Sequence, residues 1–181
     1  MKVNYQAKAL KTLDAKLKYV QGPGSKTLAG KVAEALEEGN RNDRLAGTDR
    51  YGQPLAPVKP RRGKYKNASG PPLAPFGAAS RVVTHFRTKV LGQSGNYHIA
   101  AGWDNVLSKQ GVPFLPFHDQ GVRLRPNSGG GLVARNFARI KAAVRGSWFL
   151  PPRPIFGISP RTWARIRPLG DTFKAGVKKV K

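Results

Sequence analysis

Proline decides where this chain can build regular structure. Pro54, Pro57, Pro60, Pro71, Pro72 and Pro75 punctuate residues 39–80, and a second group surrounds residues 113–154. Each proline fixes φ and removes a backbone donor, which blocks helix interiors and central strands. The second group frames the stretch that organises the chain. It opens with Pro113-Phe114-Leu115-Pro116-Phe117-His118-Asp119-Gln120-Gly121 and closes with Trp148-Phe149-Leu150-Pro151-Pro152-Arg153-Pro154-Ile155-Phe156-Gly157-Ile158-Ser159. A basic, glycine-rich middle separates two rigid, aromatic ends. Such ends are costly to leave in water. They read as two apolar anchors that clip a basic excursion onto the domain or onto a neighbouring subunit. Phe114, Phe117, His118, Trp148, Phe149, Arg153 and Phe156 are the candidate subunit- or partner-docking residues.

The charge constrains partners. Among 181 residues, Lys and Arg outnumber Asp and Glu by 33 to 9, a net charge of +24 with a pI of about 11.2. Self-repulsion on that scale opposes compaction, and it implies a polyanionic neighbour, most often nucleic acid. The length is enough for a single domain over 1–181 with a core and extended arms. No apolar run is long enough to span a bilayer, so no membrane partner is expected. Cysteine is absent, which excludes disulfides, thiolate nucleophiles and Cys-ligated metals.

Regular structure is expected outside the proline-rich stretches. Leu10, Leu13, Leu17 and Val20 have helical spacing over 5–20, with Lys8, Lys11, Lys16 and Lys18 on much of the rest. This basic amphipathic helix fits either a docking role or a core helix with a solvated outer face. After Gln21-Gly22-Pro23-Gly24, a second helix is expected over 25–38 with Ser25 as its N-cap. These form a helical N-terminal part, 1–38. Residues 39–80 read as an extended arm, in which Arg61, Arg62, Lys64 and Lys66 surround Tyr65. That knot fits phosphate contact or a solvated linker. Alternation from Val82 to Trp103, interrupted by Leu91-Gly92-Gln93-Ser94-Gly95-Asn96, predicts a β-hairpin. It belongs to a β-rich core, 81–158, that carries a long basic loop at 121–147. Within that loop Arg123, Arg125, Arg135 and Arg139 are the candidate polyanion contacts, and 133–144 fits a helix or a strand. Ser159-Pro160 starts a C-terminal helix, short and broken near Pro168, with a basic tail to 181. The fold class is therefore α+β, with N-terminal helices packed on an antiparallel β-sheet, extended Pro/Gly-rich arms and a short C-terminal helix.

Catalysis is not expected. After Asp49 only Asp104, Asp119 and Asp171 supply carboxylates, too few and too scattered for paired acid–base work. His85 and His98 fall on facing strands of the expected hairpin but have no acidic third ligand, a weak basis for zinc. Glu34, Glu37 and Glu38 share a helix face, where pairing with lysines is the simpler expectation than a cation site. Gly129-Gly130-Gly131 lacks the Lys and hydroxyl of a phosphate-binding loop. No catalytic residue, metal or cofactor is expected.

Several strings, read in order, resemble the virion morphogenesis, or tail-completion, proteins of tailed bacteriophages. Tyr51-Gly52-Gln53-Pro54-Leu55-Ala56-Pro57 is similar to that family's glycine–x–proline–tryptophan–x–proline segment, with Leu55 at the tryptophan position. Gly70-Pro71-Pro72-Leu73 resembles its glycine–proline–leucine run, although Ala74-Pro75-Phe76-Gly77 replaces the usual Asp-Thr-Gly. His118-Asp119-Gln120-Gly121 keeps the outer residues of a histidine–glutamine–aromatic–glycine motif. Pro151-Pro152-Arg153-Pro154-Ile155-Phe156-Gly157 resembles the proline–x–arginine–proline–phenylalanine–leucine–glycine signature before the last helix. The resemblance runs from about residue 25 to the last helix.

It implies a structural virion protein at the head–tail junction, present in the host cytoplasm during assembly. Its partners would be further copies in a homo-oligomeric ring and other neck or tail proteins. Packaged double-stranded DNA passing through the ring would be contacted without sequence preference. The alternative is a general nucleic-acid-binding protein of ribosomal type, which shares the charge and the scarcity of acids. The aromatic proline anchors suit protein docking better than RNA binding.

Overall fold

The structure, a computed structural model, describes residues 2–56, 68–104, 106, 115–124 and 148–180, with the backbone alone at 2–8, 117, 122–124 and 148–150. The fold is α+β. Helices α1 (Lys2–Gln21) and α2 (Pro23–Ala46) are followed, among the described residues, by a 3-10 turn (Gly77–Ala79) and the short helix α3 (Arg81–Thr84). Strands β1 (Phe86–Gln93) and β2 (Asn96–Trp103) form one two-stranded sheet. Helix α4 (Leu115–Gln120) precedes β3 (Val122–Leu124), which pairs with β4 (Trp148–Leu150), and α5 (Pro160–Lys179) follows. Backbone contacts group the chain into two compact units. One comprises Met1–Gly39, Arg87–Gly102 and Arg161–Lys181, the other Asn40–Phe86 and Trp103–Pro160.

In the first unit, small residues let helices approach. An alanine at Gly39 of α2 would overlap the Thr162 side chain of α5, and a Cβ at Gly176 would press on the Tyr19 hydroxyl. Tyr19 stacks on Phe173, with ring centroids 6.2 Å apart. The hairpin turns at Ser94-Gly95, both with positive φ, the primed two-residue geometry that matches strand twist. Phe86, Thr88 and Val90 lie on the half-buried face of β1, with Arg87 and Lys89 outside. Thr88 joins the sheet to α2, because its backbone N–H and its hydroxyl both donate to Glu37 Oε1, at 2.6 and 2.8 Å.

Five local expectations are corrected. The Leu10, Leu13 and Leu17 stripe does not face the core. It is 65%, 54% and 49% exposed, while Thr12, Ala15, Lys16, Tyr19 and Val20 make the half-buried face of α1. Small Ala15 and flat Tyr19 permit closer packing than leucines do. Ser25 is not an N-cap, since α2 begins two residues earlier at Pro23 and the Ser25 hydroxyl donates to Val20 O. The same helix runs on to Ala46, so 39–46 is not extended. Residues 81–84 are helical rather than strand. Val82 and Val83 are adjacent yet both buried, which a helical turn allows and a half-buried strand does not. Finally, α5 is 20 residues long and continues through Pro168. Contacts on both sides of the proline, at Thr162 and Phe173, offset its local cost of about 3 kcal/mol.

The core of the second unit joins distant parts of the sequence. Leu55, Val82, Val106, Leu115 and Ile155 form its buried cluster, with Leu73 and Trp103 packed against it. Trp103 satisfies its indole N–H on Val82 O at 2.8 Å and meets Phe86 edge-on at 5.0 Å.

Candidate functional site

The site is a clasp in the second unit, built from three loops. The first follows α2. Gly47 takes φ of +68°, the left-handed conformation that ends helices, and the chain folds back at once. Asp49 Oδ1 accepts from the backbone N–H of Tyr51 and of Gln53, both at 2.8 Å, and Leu55 N–H donates to Gly47 O at 2.7 Å. Aspartate does this well because its short side chain reaches its own backbone two residues on. Pro71 lies directly against Gly47, where a Cβ would overlap it.

The second loop is α4 with His118 and Asp119, and the third runs from Arg153 to Ser159. Arg153 N–H donates to His118 O at 2.6 Å. Asp119 Oδ1 accepts from Ile155 N–H at 2.6 Å and Phe156 N–H at 3.0 Å. Arg153 is 1% exposed. Its Nε donates to Ala56 O at 2.7 Å, and its Nη1 lies 3.1 Å from His118 Nδ1. A guanidinium has only donors, so Nδ1 is the acceptor and the imidazole is neutral. Burial, and then the charge of Arg153, lower the His118 pKa to about 4. Arg153 thus ties all three loops together, and it holds backbone rather than presenting charge to a partner. Its two flanking prolines set the extended path that carries the side chain inward.

Arg44 supports the clasp from below. It is 1% exposed, and among the described residues its Nε and Nη1 have no hydrogen-bond partner. Burial lowers its pKa, and attraction to Asp43, Asp49 and Asp119 opposes that shift. Asp119 therefore has two tasks, accepting two backbone donors and offsetting a buried cation.

The outer face of the clasp is aromatic. Arg50 N–H donates to Pro154 O at 2.8 Å, its Nη1 donates to Phe156 O at 3.0 Å, and its guanidinium carbon sits 4.8 Å from the Tyr51 ring centroid. Tyr51, Phe156 and Ile158 stay exposed, while the edge of Phe156 meets Trp103 at 5.3 Å. Rigid aromatics beside an arginine have the composition of protein-interface anchors. Tyr51 and Arg50 carry no periodic signal in the sequence. The one clue to them is the glycine and prolines that follow.

The base of the excursion is closed by β3 and β4, with Val122 opposite Leu150, Arg123 opposite Phe149 and Leu124 opposite Trp148. The two ends of the stretch therefore do meet. Arg61, Arg62, Lys64, Lys66, Phe114, Arg125, Arg135 and Arg139 lie outside the described residues, as does any element over 133–144. Phe117 lies on α4, and Arg123, Trp148 and Phe149 lie on the paired strands, described as backbone.

Glu37 binds Thr88, and Glu38 pairs with Arg165 rather than with a lysine. His85 precedes β1 rather than lying on it, and its ring meets the Thr84 hydroxyl at 2.7 Å. Among the described residues no three His, Asp or Glu side chains converge as a metal site would need. No family model, curated protein or solved structure matches the chain.

Proposed function

We propose that the chain is a structural virion assembly protein of a tailed phage, part of a ring at the head–tail neck or tail terminus, around the channel through which DNA passes. One observation carries this reading. Four strings that resemble the tail-completion family, far apart in sequence, fall in one interlocked unit. Gly52–Ala56 supplies the carbonyl that Arg153 binds, Pro71 and Leu73 back the same loops, and His118 and Asp119 hold the Arg153–Phe156 segment. A signature whose members grip one another has a structural role to fill without any reacting group.

The clasp supports a second part of the reading. Paired β3 and β4 fix both ends of a sequence segment that carries Arg125, Arg135, Arg139, Lys141 and Arg145. An anchored basic segment, repeated around a ring, neutralises phosphates without reading bases. Non-specific DNA contact, self-association and neighbouring neck or tail proteins are the proposed partners, and the head–tail junction is the proposed location.

The test is a salt titration with duplexes of unrelated sequence. All should bind equally, with log K falling linearly against log salt. Substituting Arg123, Arg125, Arg135 and Arg139 by Gln should make that slope shallower by about 2–4, at roughly 0.9 for each phosphate that is no longer neutralised. Tight, salt-resistant selection of a structured RNA would overturn this reading in favour of a ribosomal-type binder.

A further inference from the structure

The leucine face of α1 has no role in the fold described above. Leu10, Leu13 and Leu17 are about half exposed or more, on a helix whose opposite face holds the contacts with α5. Their spacing is three and then four residues. That is the narrow a/d seam of a helix that packs lengthwise on another helix, not the broad apolar face of one that lies in a membrane surface. Three exposed leucines on one stripe are a recurrent cost in water unless something covers them.

Charge selects what covers them. Helix α1 contains Lys2, Lys8, Lys11, Lys16 and Lys18 against a single acid, Asp14. That acid is already paired with Lys18 at 2.7 Å. A second copy of α1 laid along the seam would bring the same excess of lysines into the Debye range, which opposes pairing. From these observations we propose that α1 docks an acidic amphipathic helix of a different protein, with apolar residues in its own seam and carboxylates along the flanks. Leucines would provide the buried contact and lysines the choice of partner. The proposal is independent of the neck reading, and either can fail alone.

The test uses the full chain and a designed probe, a fluorescent helical peptide with Leu at a and d and Glu at e and g. The protein should bind it, and the double variant L13Q/L17Q should bind at least about tenfold more weakly, a loss of about 1.4 kcal/mol. Because both positions are exposed, the variant should keep the wild-type melting temperature. No binding of the peptide, or equal binding by the variant, would overturn the proposal, the latter by showing attraction through charge alone. So would leucine-dependent binding to phosphatidylglycerol vesicles with none to the peptide. Self-association that L13Q/L17Q abolishes in sedimentation would equally overturn it, by making the occupant a second copy.

Discussion

Asp119→Ala is expected to destabilise the protein by about 3–5 kcal/mol. Its Oδ1 receives the backbone N–H groups of Ile155 and Phe156 at 2.6 and 3.0 Å, bonds strengthened by the carboxylate charge. Alanine leaves both donors without that acceptor, next to the fully buried Ile155. It also removes one of three carboxylates that attract buried Arg44. Two faults therefore arise at once, an unmade pair of hydrogen bonds and a less compensated cation. Asp119→Asn separates them, because the amide oxygen still accepts while the charge is gone. It should cost about half as much. Urea unfolding of both variants measures the difference. A cost below about 1 kcal/mol for alanine would mean that the third loop is held in place by its packing and not by this carboxylate.

Acidification from pH 6.5 to about 4 is expected to remove about 3 kcal/mol through His118 alone. Burial and Arg153 hold the imidazole neutral in the folded state down to about pH 4, whereas the unfolded chain protonates near 6.5. Between those values the unfolded state binds more protons, so stability rises with pH through the window and is level above it. The structure gives the reason for the direction. Protonated Nδ1 would be a donor aimed at Arg153 Nη1, which is itself a donor at 3.1 Å. His118→Asn offers an acceptor near the same place and does not titrate. Its unfolding free energy should lack this portion of the slope, whatever other groups contribute in both proteins. Parallel pH profiles for wild type and variant would contradict a buried neutral His118.

Much of this was legible in the sequence, for reasons that differ by element. The hairpin could be read from alternation and a Ser-Gly turn, since a period of two and a positive-φ pair are both local. That both ends of 113–159 are anchored could be read from cost, because aromatic, proline-rich ends need cover, but their pairing with each other could not. Arg153 reads from sequence as a docking residue; its flanking prolines mark a rigid position, and the structure supplies the carbonyl and the imidazole it holds. What eluded reading was orientation and reach. Period alone gives the leucine stripe of α1 but not which way it faces, because Ala15 and Tyr19 make a rival face with the same repeat. Val82-Val83 continues the alternation of the strand beyond it, and the return of Thr84 N–H to Ser80 O and of His85 N–H to Arg81 O, at 3.0 and 2.9 Å, makes it a helical turn. Pro168 argued for a break that packing on both sides of it overrides. Arg50 and Tyr51 sit in a loop whose shape comes from Asp49 and Gly52, and the bond from Arg50 to Phe156 O is a long-range contact that no local pattern carries.

Assembly around DNA as a structural ring is the function proposed for this chain. Native mass spectrometry of the full chain across a salt series, with and without duplex DNA, tests it most directly. The expected result is one discrete closed oligomer, or a monomer that assembles when duplex of any sequence is added, with either state weakening as salt rises. A monomer at every salt concentration that ignores duplex DNA and retains a structured RNA at high salt would contradict it.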